Sequence, residues 1–249
     1  MEPAAYEQFR TLEETHFWFR GRREIFFAVL DKHFGDRGPL DVLEVGCGAG
    51  GLLRRLARLG QVQGVELSPE LAAIARERSG LAVSCANAYA LPHAGDSQDL
   101  VCLFDAIEHI PDEDRALQEI HRVLRPGGHV FFSVPAYQFL FSNNDRVAHH
   151  FRRYTKGRLS AKVCSNGFHP VKVSYFNLFL FPLILPAVLL TKAKERFIGL
   201  KDPEHTNLSV QPRPLVNEIL ARIMSSERRI LPHLSFPLGH SLIGLYQKL

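Results

Sequence analysis

The 249-residue chain is short of several things that would narrow its class. It has four cysteines, two methionines and one tryptophan. Cys47, Cys85, Cys102 and Cys164 lie far apart without CxxC spacing, so neither a zinc site nor a redox pair is read, and all four are expected as buried, reduced thiols. No metal is implied. There is no excess of one charge: 30 Lys and Arg face 26 Asp and Glu, and the basic residues are scattered, which argues against nucleic acid as a partner. The amino-terminal residues lack a basic segment followed by an apolar one, so a cytoplasmic location is expected. The longest apolar stretch, Phe176 to Leu190, contains Asn177, Pro182 and Pro186 and falls short of the roughly 20 residues a bilayer requires. No internal repeat or low-complexity tract is present.

What remains is the rhythm of a parallel sheet covered on both faces. Strands are predicted at Leu40–Val45, Gln63–Glu66, Ala82–Ala86, Leu100–Phe104 and His129–Pro135, with later ones at His169–Phe176 and Ser241–Gln247. Between the first five, Gly51–Leu59, Pro69–Ser79 and Asp112–Leu124 place apolar residues at helical spacing. The stretch Phe176–Gly239 reads as several short helices broken by prolines. One domain over 1–249 is expected, divided into a helical cap at 1–38, a cofactor-binding core at 39–175, an apolar insertion at 176–239 and a last strand at 240–249.

Val42-Leu43-Glu44-Val45-Gly46-Cys47-Gly48-Ala49-Gly50-Gly51 sets a glycine-rich turn between a strand and a helix. Such a turn can take positive φ and approach a ligand closely, while the helix start offers unpaired N–H groups. Glu66 ends the second strand twenty residues after Gly46, where a carboxylate can accept from both ribose hydroxyls of an adenosine. The glycines alone suit a nicotinamide-binding unit equally well.

Together with Gln98-Asp99-Leu100-Val101-Cys102-Leu103-Phe104-Asp105-Ala106-Ile107-Glu108-His109-Ile110 and Leu124-Arg125-Pro126-Gly127-Gly128, the segment Asp41–Pro135 resembles the class I S-adenosylmethionine-dependent methyltransferases, in their bacterial small-molecule branch. The resemblance implies a doubly wound α/β fold: a seven-stranded, mostly parallel Rossmann-like sheet whose seventh strand is antiparallel, with a helical insertion between strands six and seven. It implies S-adenosyl-L-methionine as cofactor and S-adenosyl-L-homocysteine as product. Glu44, Gly46, Cys47 and Gly48 are then expected at the methionine part, Glu66 at the ribose, Leu67 beside adenine, and Asn87 with Ala88 at the adenine edge, where the family often has an acid. Phe104 and Asp105 would lie beside the transferable methyl, although Asp105 could instead cap the next helix. Trp18 and Arg20, in an aromatic and basic segment before strand one, are expected near the cofactor.

For acid/base work the first candidate is His150, with Asp145 orienting it, in a segment similar to the Asp, His-x-Arg-Arg-Tyr pattern of that branch; His109 is the second. The competing reading is a basic loop in which Tyr154 packs and Arg152 and Arg153 pair with surface acids. Tyr154, Phe179 and Phe181 are expected at the acceptor, a small apolar or lipid-like molecule. A peripheral membrane contact stays open, as do monomer and homodimer. An S-adenosylmethionine-binding subunit without catalysis and a nicotinamide oxidoreductase are the alternatives.

Overall fold

The computed structural model describes residues 12–198 and 211–249. Helix α1 (Phe17–Phe34) leads into strand β1 (Leu40–Val45), a single helical turn α2 (Leu53–Leu56), β2 (Gly60–Glu66), α3 (Pro69–Ser79), β3 (Ala82–Cys85) and β4 (Gln98–Phe104). After a 3-10 turn at Ile107–His109 come α4 (Glu113–Val123), β5 (Leu124–Pro135), α5 (Asn143–Val147), α6 (Lys156–Cys164) and β6 (Phe168–Phe176). Helices α7 (Phe181–Ile198) and α8 (Pro214–Ser226) then precede β7 (Ser241–Lys248).

Two compact units result. One carries residues 33–134, 156–173 and 243–249; the other carries the chain before 33 together with 135–155 and 174–242. The first is the sheet unit. Its seven strands run in the order β3-β2-β1-β4-β5-β7-β6, with the last residues of β6 and the first of β7 continuing into the other unit. β1 pairs in parallel with β2 and β4, β2 with β3, and β4 with β5. β7 runs against both neighbours. Lys248 and Gln247 bond the carbonyls of Leu124 and Gly127, whereas His240 receives the N–H of Ala136. On its other side Leu249 bonds Gly167, while His240 reaches Asn177.

Burial follows from this order. In β1 and β4 the residues Val42–Val45 and Leu100–Phe104 are all buried, as central strands covered on two faces require. α3 starts at Ser68, whose hydroxyl accepts from Leu71 N, and stops at Gly80 with φ +70°. α4 is capped by Asp112 and turns Ala116, Leu117, Ile120 and Val123 inward.

Several boundaries move from the sequence expectations. The helix predicted over Gly51–Leu59 shrinks to Leu53–Leu56, because Gly50 and Gly60, with φ +78° and +150°, close it in between two turns. β5 begins at Leu124 rather than His129, and a register shift absorbs Gly127 and Gly128. The insertion between β6 and β7 is helical, but α7 passes unbroken through two prolines. Pro182 lies in its first turn, where no N–H partner is needed, and Pro186 faces the carbonyl side of Pro182 one turn back, so the helix forgoes one bond there. Cys85 and Cys164 are exposed, not buried, because β3 is an edge strand and Cys164 ends α6.

Candidate functional site

In the sheet unit, β1 delivers the chain into Gly46–Gly50. Gly46 N–H and Cys47 N–H both bond the carbonyl of Val65, at 2.8 and 3.1 Å, which ties the turn to the end of β2. Gly46, Gly48 and Gly50 have φ of +74°, +53° and +78°, a region costly for residues with a Cβ. A Cβ on Gly46 would come within 2.8 Å of that of Ala106. At Gly48 the same position meets nothing within 4 Å, so the turn leaves a cradle open there.

Glu66 closes this turn. Its Oε2 accepts from Gly48 N at 2.9 Å and its Oε1 from Ser68 N at 3.0 Å. Each carboxylate oxygen retains capacity for a further donor, so the backbone orients the group without saturating it. Leu67 follows with its side chain 65% exposed, an apolar surface at the carboxyl end of the sheet. Asn87 is exposed as well, its Oδ1 taken by Tyr89 N at 3.0 Å, which leaves the amide hydrogens as donors; Ala88 follows, half-buried.

Glu44 is buried two residues before the turn. Burial, with the charges of Glu44 and Glu66, pushes the Cys47 thiol far up, which keeps it neutral and unsuited to nucleophilic work. Phe104 packs against Phe131 with ring centroids 5.6 Å apart. Asp105 takes φ +50°, and its Oδ1 accepts from Ser133 Oγ at 2.9 Å while its own N–H bonds the carbonyl of Ser133. The alternative of a helix cap is not realised: Ala106 occupies that position, without a side-chain bond. His109 ends the following 3-10 turn, half-buried.

The helical unit holds the other candidates. Asp145 is fully buried in α5 and receives five polar contacts. Ser142 N donates at 2.8 Å and Ser142 Oγ lies at 3.4 Å. Arg153 forks onto both oxygens at 2.7 and 2.9 Å, and His150 Nδ1 stands 2.9 Å from Oδ1. Burial alone would raise this carboxyl, but the His150 and Arg153 bonds and charges outweigh it and hold Asp145 well below the usual range. An ionised Asp145 makes Nδ1 the N–H of a neutral His150, and Nε2 is then its basic nitrogen.

Arg153 is the residue sequence reading misplaced. The competing reading paired it with surface acids; it is buried, and its partner eight residues back is visible only once the loop through His149, at φ +60°, folds over. Tyr154 is also fully buried, with its N–H on Pro135 and its carbonyl receiving Tyr137 N. Phe181 is buried and stacks on Tyr137 at 5.9 Å, and Tyr137 stacks on Tyr175 at 5.1 Å. Phe179 remains exposed beside Phe236. Trp18 meets the edge of His240 at 5.3 Å, and Arg20 is ion-paired with Glu218 at 2.8 Å.

A mostly parallel sheet in this strand order, with a glycine cradle after β1 and an acid at the end of β2, defines the class I S-adenosylmethionine-dependent methyltransferase fold. Residues 43–132 match the family described as methyltransferase domain, and this segment is a domain of that kind with the class I fold, whose cofactor is S-adenosylmethionine. The ubiquinone biosynthesis O-methyltransferase of Pectobacterium carotovorum subsp. carotovorum (strain PC1) is 39% identical over 101 residues, 37% of this chain and 42% of that protein. The chain thus matches less than half the length of that curated relative. A Thermotoga maritima S-adenosylmethionine-dependent methyltransferase, described as a possible histamine N-methyltransferase, shares the fold with TM-score 0.61 and 20% identity over 98% of both chains. Phosphoethanolamine N-methyltransferase 2 of Haemonchus contortus, crystallised with S-adenosyl-L-methionine, has TM-score 0.56 at 22% identity, over 89% of this chain and 51% of that one.

Proposed function

We propose that this protein is an S-adenosylmethionine-dependent methyltransferase acting on a small, apolar or lipid-like acceptor through a hydroxyl oxygen. The observation that carries the reading is the Gly48–Glu66 pair, an open glycine cradle held by a carboxylate that keeps acceptor capacity. The name of the Pectobacterium relative, an O-methyltransferase, supports oxygen as the accepting atom. The bound cofactor supplies an electrophilic methyl group on a sulfonium sulfur. Glu44 and the turn Gly46–Cys47–Gly48 would hold its methionine part, and Glu66 would accept from its ribose hydroxyls. Leu67 covers one adenine face, with Asn87 and Ala88 at the adenine edge. Phe104 and Asp105 would bound the methionine side, and we assign Trp18 and Arg20 to the cofactor as well. For the acceptor, His150 takes the hydroxyl proton at Nε2 while Asp145 holds Nδ1–H, and Arg153 keeps Asp145 ionised; His109 is the second candidate base. Tyr154, Phe179 and Phe181 belong to the acceptor side, where apolar surface favours an apolar molecule.

Incubation with methyl-labelled cofactor and a cell extract, followed by identification of the labelled product, tests the reading. With the acceptor in hand, His150→Ala should lower kcat by about 10²–10⁴-fold, flatten the pH profile and leave cofactor affinity unchanged. Wild-type turnover in that variant removes His150 from the chemistry. Cofactor binding with no labelled product in any extract would favour a non-catalytic binding subunit, and tighter retention of NADH than of S-adenosylhomocysteine would favour an oxidoreductase.

A further inference from the structure

Helix α7 is the most apolar element of the helical unit and also one of its most exposed. Phe181 is buried at its start; from Pro182 to Lys194 no side chain is. Ile184, Leu185, Val188 and Lys192 form the half-buried inner side, as spacings of three and four dictate. Leu183 and Leu190, seven residues apart on the outer side, are 66% and 64% exposed, with Leu189, Pro186 and Ala187 around them. A soluble surface helix would put charge there. Here no charge occurs before Lys192, and Lys194 lies one turn beyond Leu190 on the same outer side.

The apolar surface extends past the helix. Lys192 Nζ donates to the carbonyl of Phe139, bringing that exposed ring beside the carboxyl-terminal part of α7. Gln138, next to it, accepts from Arg153 N, two residues after Phe151. Phe151 is exposed, and the Arg152 guanidinium lies over its ring at 5.6 Å.

We infer that this face docks onto an anionic lipid bilayer, with α7 lying in the plane of the headgroups. No helix among the described residues is long and apolar enough to cross a membrane, so surface attachment is the mode open to α7. At 18 residues it extends about 27 Å, enough to sink several leucines while the lysine stems reach back to phosphate. Charge selects the occupant. Among the described side chains of α7 the only charges are Lys192 and Lys194, which complement anionic headgroups. A second copy packed on the same face by two-fold symmetry would set this cationic border against itself. Vesicle binding is read without turnover, so the inference stands or falls separately from methyl transfer.

The test is cosedimentation of the full-length protein with vesicles of phosphatidylcholine alone and of phosphatidylcholine with phosphatidylglycerol. The protein should bind the anionic vesicles more tightly, and rising salt should weaken that preference. Leu183→Ser with Leu190→Ser should weaken partition about tenfold or more on the anionic vesicles. Lys194→Glu should reduce the preference for phosphatidylglycerol. Because Leu183, Leu190 and Lys194 are exposed, the variants should keep the wild-type melting temperature and S-adenosylhomocysteine affinity, which guards against misfolding as the cause. Wild-type protein that stays in the supernatant with anionic vesicles, or leucine variants that bind as the wild type does, would overturn the inference. So would a wild-type dimer that the leucine variants dissociate while no vesicle binding is seen, since the occupant would then be a second copy.

Discussion

Glu66 ties a loop and offers itself to a ligand with the same two oxygens. Its bonds to Gly48 N and Ser68 N fix the carboxylate at the carboxyl end of β2, so it needs no reorganisation to accept hydroxyl donors. Hydrogen bonds to a charged acceptor contribute about 1.5–3 kcal/mol each. Loss of two should weaken binding by about a hundredfold or more, before any loosening of the turn is counted. Glu66→Ala is therefore expected to lower S-adenosylhomocysteine affinity by at least that factor in calorimetry, with Glu66→Gln in between because it keeps one acceptor oxygen. Unchanged affinity in a folded Glu66→Ala protein would mean that this carboxylate does not hold the ribose. Residues of this kind were legible beforehand, because a glycine turn after one strand and an acid at the end of the next are local features with a set chain separation. Arg153 was not, since only the folded loop brings it onto Asp145.

At the level of elements, the foot of α7 is held by a group far along the chain. Glu227, fully buried just after α8, accepts from Asn177 N at 2.7 Å and Phe179 N at 2.9 Å. These N–H groups precede the helix, where Asn177 takes φ +58° and the chain turns out of β6. α8 is clamped in turn to α1: Gly21 lets Met224 approach so closely that a Cβ would sit 2.6 Å from Met224 Cγ, and Phe17 N bonds Asn217 Oδ1 at 2.8 Å. The three helices thus share one set of fastenings within their unit. Glu227→Ala would strand two N–H groups in an apolar setting, each at a cost of about 1–3 kcal/mol. A loss of about 2–5 kcal/mol is expected in urea unfolding, together with faster hydrogen exchange at Asn177 and Phe179. Native exchange rates at both amides would show that Glu227 does not hold this turn.

For the whole molecule, folding is linked to pH through histidines that are buried neutral. His129 in β5 packs edge-on against Phe34 at 5.2 Å. Burial, then the Arg37 charge, then His33 and His169, lower its pKa to about 4. In the unfolded chain the ring titrates near about 6.5. Its contribution is therefore complete above about pH 6.5 and is lost as pH falls toward 4, because the unfolded state takes up the proton first. Burial also lowers His16, His93 and His121, so they share the same direction. The His129 share is read as a difference: His129→Asn should lose less stability than wild type across that window, measured by urea midpoints. Parallel curves for the two proteins would show that His129 does not report on folding.

Sequence alone determined the sheet and its cofactor turn. Central strands carry apolar runs because both faces are covered, Glu44 being the exception in β1, and positive φ at Gly46 and Gly48 demands glycine, so both leave marks within a few residues. The class of the domain followed from the family resemblance that these marks carry together with Gln98–Ile110 and Leu124–Gly128. Tertiary structure decided the rest. The Asp145–His150–Arg153 network and the Glu227 clip join groups whose chain separation carries no periodic signal. The course of α7 through Pro182 and Pro186 depended on where each proline fell relative to the helix start, not on proline content. Its apolar residues would have read the same in a buried core as on a surface. Which of the two they form is set by what packs against them, and along α7 the outer leucines meet solvent.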